Sequence, residues 1–219
     1  MRKALAIDLD GTLLSTNTFR DYLSYCGNIA VHTFRWGLAL RIVWWVMLRK
    51  LRLISHSRMK HALLAATASF IQRDGRLDVF VEQELLCLNR QVLQLVEQYR
   101  SRGHLLVLTT AAPDIYARPI AEDLHIDLCS ATLLPSEVVI GSWQENVGAE
   151  KVRSLQRLLQ VHKAELDAVI TDHQDDMPLL RANASGTNYL VNPSPVFLSL
   201  LQAEPEIRIQ TVLKNSFLS

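Results

Sequence analysis

Ala4-Leu5-Ala6-Ile7-Asp8-Leu9-Asp10-Gly11-Thr12 starts as an apolar run and stops on two acids, a glycine and a hydroxyl. A continuous apolar run this short suits a central parallel strand covered on both faces. Residues two apart on an extended strand point the same way, so Asp8 and Asp10 share a side. Two such carboxylates repel unless a cation lies between them or one is protonated. Gly11 then lets the chain turn sharply. Taken alone, the pattern is equally consistent with a backbone turn built from Asp and Gly and with a reactive pair, one carboxylate attacking and the other moving protons.

Downstream of this strand, residues 16–72 read as helical, with helices expected over 19–25, 29–51 and 57–71. Arg73-Asp74-Gly75-Arg76 is a break, and a long helix over 79–100 runs to Ser101-Arg102-Gly103, a helix stop. Strands and helices then alternate: strand 105–109, helix 115–124, strands 127–131 and 137–140, helix 149–162, strand 168–171, helix 177–182 and strand 188–191. That alternation predicts an α/β protein with a Rossmann-like, open, mostly parallel sheet. A helical stretch of roughly 70–80 residues after the first strand is too long for an ordinary connection. The economical reading is an inserted all-helical cap at residues 16–89, with 1–15 and 90–219 forming the core.

Composition sharpens that division. The 219 residues carry a formal net charge of only +1, which argues against nucleic-acid binding. Yet from Tyr22 to Arg73 there is no Asp or Glu, while Arg35, Arg41, Arg49, Lys50, Arg52, Arg58, Lys60 and Arg73 are all cationic. A basic unit inside an otherwise acidic chain faces an anionic partner. The apolar stretch 36–48 contains Arg41 and is shorter than the roughly 20 residues a spanning helix needs. With Trp36, Trp44 and Trp45 it reads either as a surface-lying membrane helix or as the buried core of the cap. Asp8 and Asp10 break the N-terminal apolar run too early for a signal peptide. Cys26, Cys87 and Cys129 show neither metal nor disulfide spacing and fit a reducing, cytoplasmic location.

Polar residues gather where the strands end, which is where open α/β sheets keep their sites. Thr109-Thr110-Ala111-Ala112-Pro113 offers hydroxyls and free N–H groups at a helix start, suited to an anion. Lys151 sits early in a helix, where the dipole disfavours a cation. Asp172-His173-Gln174-Asp175-Asp176 packs three carboxylates into five residues, a hard-oxygen set that suits Mg²⁺.

In this order, the four signals resemble the motifs of the haloacid dehalogenase (HAD) superfamily, in its phosphoserine-phosphatase-like branch. Asp8-Leu9-Asp10-Gly11-Thr12 matches the first motif, and Thr110, with Thr109 before it, falls on the second. Lys151 matches the third, with a one-residue slip in Asn146-x-Gly148-x-x-Lys151. Thr171-Asp172-His173-Gln174-Asp175-Asp176 is similar to the fourth, although Thr171 stands where Gly is usual and His173 where Ser is usual. The spacing favours Asp176 over Asp175. The likeness spans the whole core; in the cap it extends to position and helical character only.

The resemblance implies a magnesium-dependent phosphomonoester hydrolase with an aspartyl-phosphate intermediate. Asp8 is then the nucleophile, Asp10 the proton donor and acceptor, and Lys151 a charge neutraliser. Thr12, Thr109, Thr110, Ala111 and Lys151 are the expected phosphate contacts. Asp8, Asp10 (through its carbonyl), Asp172 and Asp176 are the expected Mg²⁺ ligands. Within the superfamily Asp10 argues against dehalogenation, because a halide leaving group needs no proton. Substrate choice falls to the cap, whose basic, Trp-rich character favours a lipid or other amphiphilic phosphate. General likeness to the phosphatidylglycerophosphate-phosphatase type, and the option of peripheral membrane contact, point the same way. A small soluble phosphate is the alternative substrate, phosphotransfer an alternative reaction, and an inactive binding module the alternative from another class.

Overall fold

Alternate residues of the first strand serve opposite cores, and this is what the apolar run encodes. In the computed structural model, which describes residues 1–137 and 143–213, β1 (Arg2–Ile7) has Ala4 to Ile7 fully buried. Leu5 and Ile7 join one hydrophobic cluster, and Ala4 and Ala6 join another on the opposite face.

After β1 come four helices: α1 (Thr18–His32), α2 (Trp36–Lys50), α3 (His56–Ile71) and α4 (Arg76–Leu85). The chain then runs through α5 (Arg90–Ser101), β2 (Leu105–Pro113), α6 (Asp114–Asp123), β3 (Leu128–Thr132), α7 (Ala149–Val161) and β4 (Ala164–Thr171). It closes with α8 (Met177–Ala182), β5 (Thr187–Val191), α9 (Pro195–Gln202) and β6 (Ile209–Leu213). Among the described residues the sheet has the order β3-β2-β1-β4-β5-β6, and every pairing is parallel. Strand order reverses at β1, which lies between β2 and β4. A crevice at such a reversal, beyond the carboxyl ends of the strands, is the natural binding place.

Three expectations change. The helix expected over 29–51 is two helices. Arg35 N–H bonds to the Ala30 carbonyl and Phe34 N–H to that of Val31, with Phe34 left-handed at φ 57°, so a Schellman closure ends α1 without a glycine. Arg52, at φ 58°, ends α2 the same way. The helix expected over 79–100 also divides. Cys87 to Asn89 pass back beside Leu13 to Ser15: Ser15 N–H bonds to the Cys87 carbonyl at 2.9 Å and Asn89 N–H to the Leu13 carbonyl at 2.9 Å. Asn89 then caps α5, its side chain accepting from Gln91 N–H. Finally, α9 and β6 extend the sheet beyond β5, the last strand expected from the sequence. The strand expected over 137–140 falls, from 138 on, outside the described residues; Glu137 ends the 3-10 turn Pro135–Glu137.

The helical insertion is packed onto the core by rings. Tyr22, Phe80 and Tyr116 meet pairwise at 5.3–5.7 Å between centroids, and Tyr116 belongs to α6 of the core. By contrast α2 keeps only Ile42 buried. Trp36, Leu40, Val43, Trp44 and Met47 stand exposed along it, Leu40 at 68%.

Candidate active site

The reversal of strand order opens a cavity of about 700 Å³, walled by the ends of β1, β2 and β4 and roofed by the insertion. Asp8 continues β1, its N–H bonded to the Ile170 carbonyl at 3.0 Å. Lys151, in the first turn of α7, is almost wholly buried and reaches across to it. Its Nζ donates to Asp8 Oδ1 at 2.7 Å and to both Asp176 oxygens at 2.8 Å. Thr171 at the end of β4 donates to Asp176 Oδ2 at 2.6 Å. A lysine badly placed for the helix dipole is therefore held there by two carboxylates.

Asp10 faces the insertion. Its Oδ1 accepts from Thr18 N–H, the first residue of α1, at 2.7 Å. Between the acids, Gly11 adopts φ 73°, and a Cβ on it would lie 2.2 Å from Asp172 Oδ2. Only glycine fits that backbone and that clearance. Thr12 is fully buried, its hydroxyl 3.2 Å from Asp172 Oδ1 and 3.4 Å from Asp8 Oδ2. One hydroxyl thus touches two carboxylates that come from different strands.

Of the expected phosphate contacts, Thr110 and Ala111 line the cavity with Lys151. Thr110 Oγ1 accepts from Ala112 N–H at 3.0 Å. Thr12 and Thr109 do not line it; both are fully buried, and Thr109 Oγ1 has no hydrogen-bond partner among the described residues. Neighbouring strand residues face opposite ways, so β2 can present only one of its two threonines. Asp176, nearly buried, is the partner of Lys151, whereas Asp175 pairs with the exposed His173, whose Nδ1 accepts from Asp175 N–H at 3.2 Å.

Sequence reasoning missed Lys60 and Glu145 as parts of this cavity. Lys60 enters from α3 and donates to the Ala111 carbonyl at 2.7 Å and to Glu145 Oε2 at 2.9 Å. Their 85-residue separation hides the pair, although a lone lysine on the helix face Lys60-Leu63-Leu64-Thr67 was a signal. Asn146 ties the frame together by donating to the Thr110 and Ser130 carbonyls, both at 2.9 Å.

Burial raises the Asp8, Asp10 and Asp172 carboxyls above their ordinary range. For Asp8 the Lys151 ammonium opposes burial, while Asp176 and Asp172 add to it. Lys151 is lowered by burial, but Asp176 and Asp8 outweigh that and hold it firmly protonated. Burial also pushes Glu145 upward; His56 and Lys60 outweigh it and bring the carboxyl down to about 2. At 3.8 Å His56 is too far for a full hydrogen bond, so Lys60 is the stronger partner. Six acids, Asp8, Asp10, Asp172, Asp175, Asp176 and Glu145, line the cavity against two lysines, Lys60 and Lys151, so it is rich in carboxyl oxygens.

Oxygen donors of this kind fit a small hard cation. Asp8 Oδ2 and Asp172 Oδ1, joined by the Thr12 hydroxyl, are a pair that could share one. No three His, Cys, Asp or Glu side chains among the described residues converge into a ready-made cage. Mg²⁺ does not require one, since it keeps several waters and takes one or two carboxylates.

The family model for haloacid dehalogenase-like hydrolases matches residues 5–181. The chain belongs to this family. That match runs from β1 through α8 and so spans all the residues just described. Among solved structures, the HAD-like chain is similar to a protein with unknown function from Bordetella pertussis Tohama I, at 18% identity and a TM-score of 0.75, covering 97% of this chain and 98% of that one. It is also similar to a phosphoserine phosphohydrolase-like protein from Francisella tularensis subsp. tularensis SCHU S4, at 16% identity, TM-score 0.57 and coverage of 97% and 95%. A third is a phospho-aspartyl intermediate analogue of phosphoserine phosphatase, at 11% identity, TM-score 0.56 and coverage of 98% and 94%. At these identities the structures speak for the HAD fold. No curated protein sequence matches the chain.

Proposed function

We propose that this HAD-like hydrolase is a Mg²⁺-dependent phosphomonoester hydrolase working through an aspartyl-phosphate on Asp8. The observation that carries the reading is the buried Asp8 carboxylate, held at 2.7 Å by Lys151 in a cavity that Asp10 and Thr110 also line.

Lys151 fixes the rotation of Asp8 through Oδ1 and offsets its charge against an incoming phosphate dianion. Asp8 attacks phosphorus, and the phosphorus–oxygen bond to the leaving group breaks in line. Asp10, whose carboxyl burial keeps raised, gives its proton to the leaving oxygen. In the second half Asp10 takes a proton from water, the water attacks the aspartyl-phosphate, and phosphate leaves with Asp8 restored. Thr110 and the backbone beyond it hold the phosphoryl oxygens. Asp8, the Asp10 carbonyl, Asp172 and Asp176 would hold Mg²⁺, which offsets the repulsion between the carboxylates and the phosphate. The insertion, residues 16–89, acts as a cap that controls entry.

An amphiphilic phosphate suits the insertion better than a small soluble one. The exposed face of α2, with Trp36, Leu40 and Trp44, is flanked by Arg35, Arg41, Arg49, Lys50 and Arg52 without a single acid, a pattern suited to an anionic lipid surface. No helix among the described residues is long and apolar enough to cross a membrane, so the contact would be peripheral.

Hydrolysis of p-nitrophenyl phosphate with Mg²⁺, abolished by EDTA and by Asp8→Asn, is the expected result. Activity that survives Asp8→Asn refutes the nucleophile assignment. For the membrane face, wild type should co-sediment with vesicles containing anionic lipid and Leu40→Glu/Trp44→Glu should not. Failure of wild type to bind such vesicles sinks the peripheral contact.

A further inference from the structure

A second cavity, of about 800 Å³, lies within the insertion between the facing sides of α1 and α2. Its wall is largely aliphatic, with Leu23 and Val31 from α1 and Ile42, Val43, Val46 and Met47 from α2. The two cavities are neighbours: Asn17, Phe19 and His56 line both. The apolar trough thus begins where the catalytic cavity ends, with the Phe19 ring on the border. At Gly27 the trough gains depth, because a Cβ built there meets no atom within 4 Å. Arg20, Arg49 and Lys50 are the charged groups along the trough, and all are cationic.

We infer that the α1–α2 trough is the subsite for the hydrocarbon part of the substrate, so that the enzyme selects phosphomonoesters of aliphatic alcohols by chain length. This inference rests on the phosphatase reading above and assigns its substrate class. One ligand then spans both cavities, its phosphate among Thr110, Lys151 and Asp8 and its chain along Gly27 and Val43. A trough of this size and lining is within the range of small-molecule sites. The cations fit an anionic amphiphile and disfavour a cationic one. The exposed face of α2 formed by Trp36, Leu40 and Trp44 is not part of the trough wall, so tail binding and surface docking are separable.

The test uses n-alkyl phosphates of two to ten carbons, below their micelle concentrations and without vesicles. Wild-type kcat/KM should rise about two- to fourfold per methylene until the trough is filled. Gly27→Phe fills open space and removes a helix-interior glycine, so the fold tolerates it. It should flatten the series, lowering kcat/KM for octyl phosphate far more than for ethyl phosphate. Val43→Asp, at an exposed position, gives a second variant with the same expected flattening. Leu40→Glu should leave the series unchanged.

A flat series for wild type that still hydrolyses p-nitrophenyl phosphate overturns the subsite and spares the phosphatase reading. A steep series that Gly27→Phe and Val43→Asp leave intact overturns it too. Titration with n-alkylphosphonates needs no turnover and separates the two failures. Should p-nitrophenyl phosphate not be hydrolysed at all, the phosphatase reading falls. A Kd independent of tail length then removes the trough as a binding site as well.

Discussion

Lys60 on α3 and Glu145 ahead of α7 form an ion pair at 2.9 Å, with the same ammonium 2.7 Å from the Ala111 carbonyl. A residue of the insertion is thereby fastened to the end of β2, just beyond Thr110, and to the segment ahead of α7. Lys60 is 3% exposed, so the pair is largely shielded from solvent.

Breaking this pair from one side should be costly. Among the described residues, Lys60→Met leaves the Glu145 carboxylate with the distant His56 alone, and a loss on the order of 3 kcal/mol in urea unfolding is expected. Lys60→Met/Glu145→Gln should recover much of that loss, because no charge is left stranded. Glu145 titrates near 2 in the fold, below its ordinary 4.5. A depressed carboxyl stabilises above its unfolded pKa, so this contribution is complete above about pH 5 and fades as pH falls towards 2. Glu145→Gln should flatten that acid limb.

Glu84 should have the opposite pH signature. It is buried on α4, accepts from the Thr16 hydroxyl at 2.9 Å, and burial raises its carboxyl to about 7. The fold therefore prefers it protonated, and stability should decline as pH rises from about 4.5 through 7. Glu84→Gln keeps an acceptor for Thr16 and removes the charge. Thermal melts at pH 8 should show it more stable than wild type by on the order of 2 kcal/mol, with the difference vanishing near pH 4.

Gly11→Ala should inactivate without unfolding. The added methyl would enter the space of the Asp172 carboxylate, 2.2 Å away, and glycine's left-handed φ would become strained. Displacing Asp172 also releases Thr12 from its place between two carboxylates. A fall of more than about 100-fold in kcat/KM with p-nitrophenyl phosphate is expected. Circular dichroism should retain the wild-type helical signal.

Mg²⁺ should stabilise the protein in proportion to its occupancy. At about 100 times its Kd, binding adds roughly 2.7 kcal/mol, which for a chain of this size is a shift of about 5–10 °C in Tm. Differential scanning fluorimetry should show the shift in wild type, little or none in Asp172→Asn, and none with Ca²⁺-free EDTA buffer in place of the metal.

Elements with local signals were legible. The apolar run into Asp8, the Gly103 stop and the strand ending at Thr171 carry their instructions within a few residues. Helix ends closed by left-handed Phe34 and Arg52 carry none, since nothing in a phenylalanine or arginine announces positive φ. The return beside Leu13 to Ser15 was hidden for a different reason. Cys87 and Leu88 leave the helix to run beside Leu13–Ser15, and only Asn89 marks the restart. In the cavity, the sequence brought Asp8, Asp10, Thr110, Lys151, Asp172 and Asp176 into view because each lies at or just beyond a strand's carboxyl end or opens a helix. It could not show which of Thr109 and Thr110 faces inward, nor that a cation from the insertion would meet Glu145, because both depend on packing between distant segments.

The two chain segments that enter and leave the insertion run side by side, joined at Ser15–Cys87 and Leu13–Asn89. Everything between them hangs from a single paired stalk, and the ends of the gap are already in contact. Another helical segment with the same two ends could be spliced onto that stalk at little loop-closure cost, leaving the strands below in register. The stalk is thus a graft point, where the helical segment can be exchanged without moving the carboxylates below it.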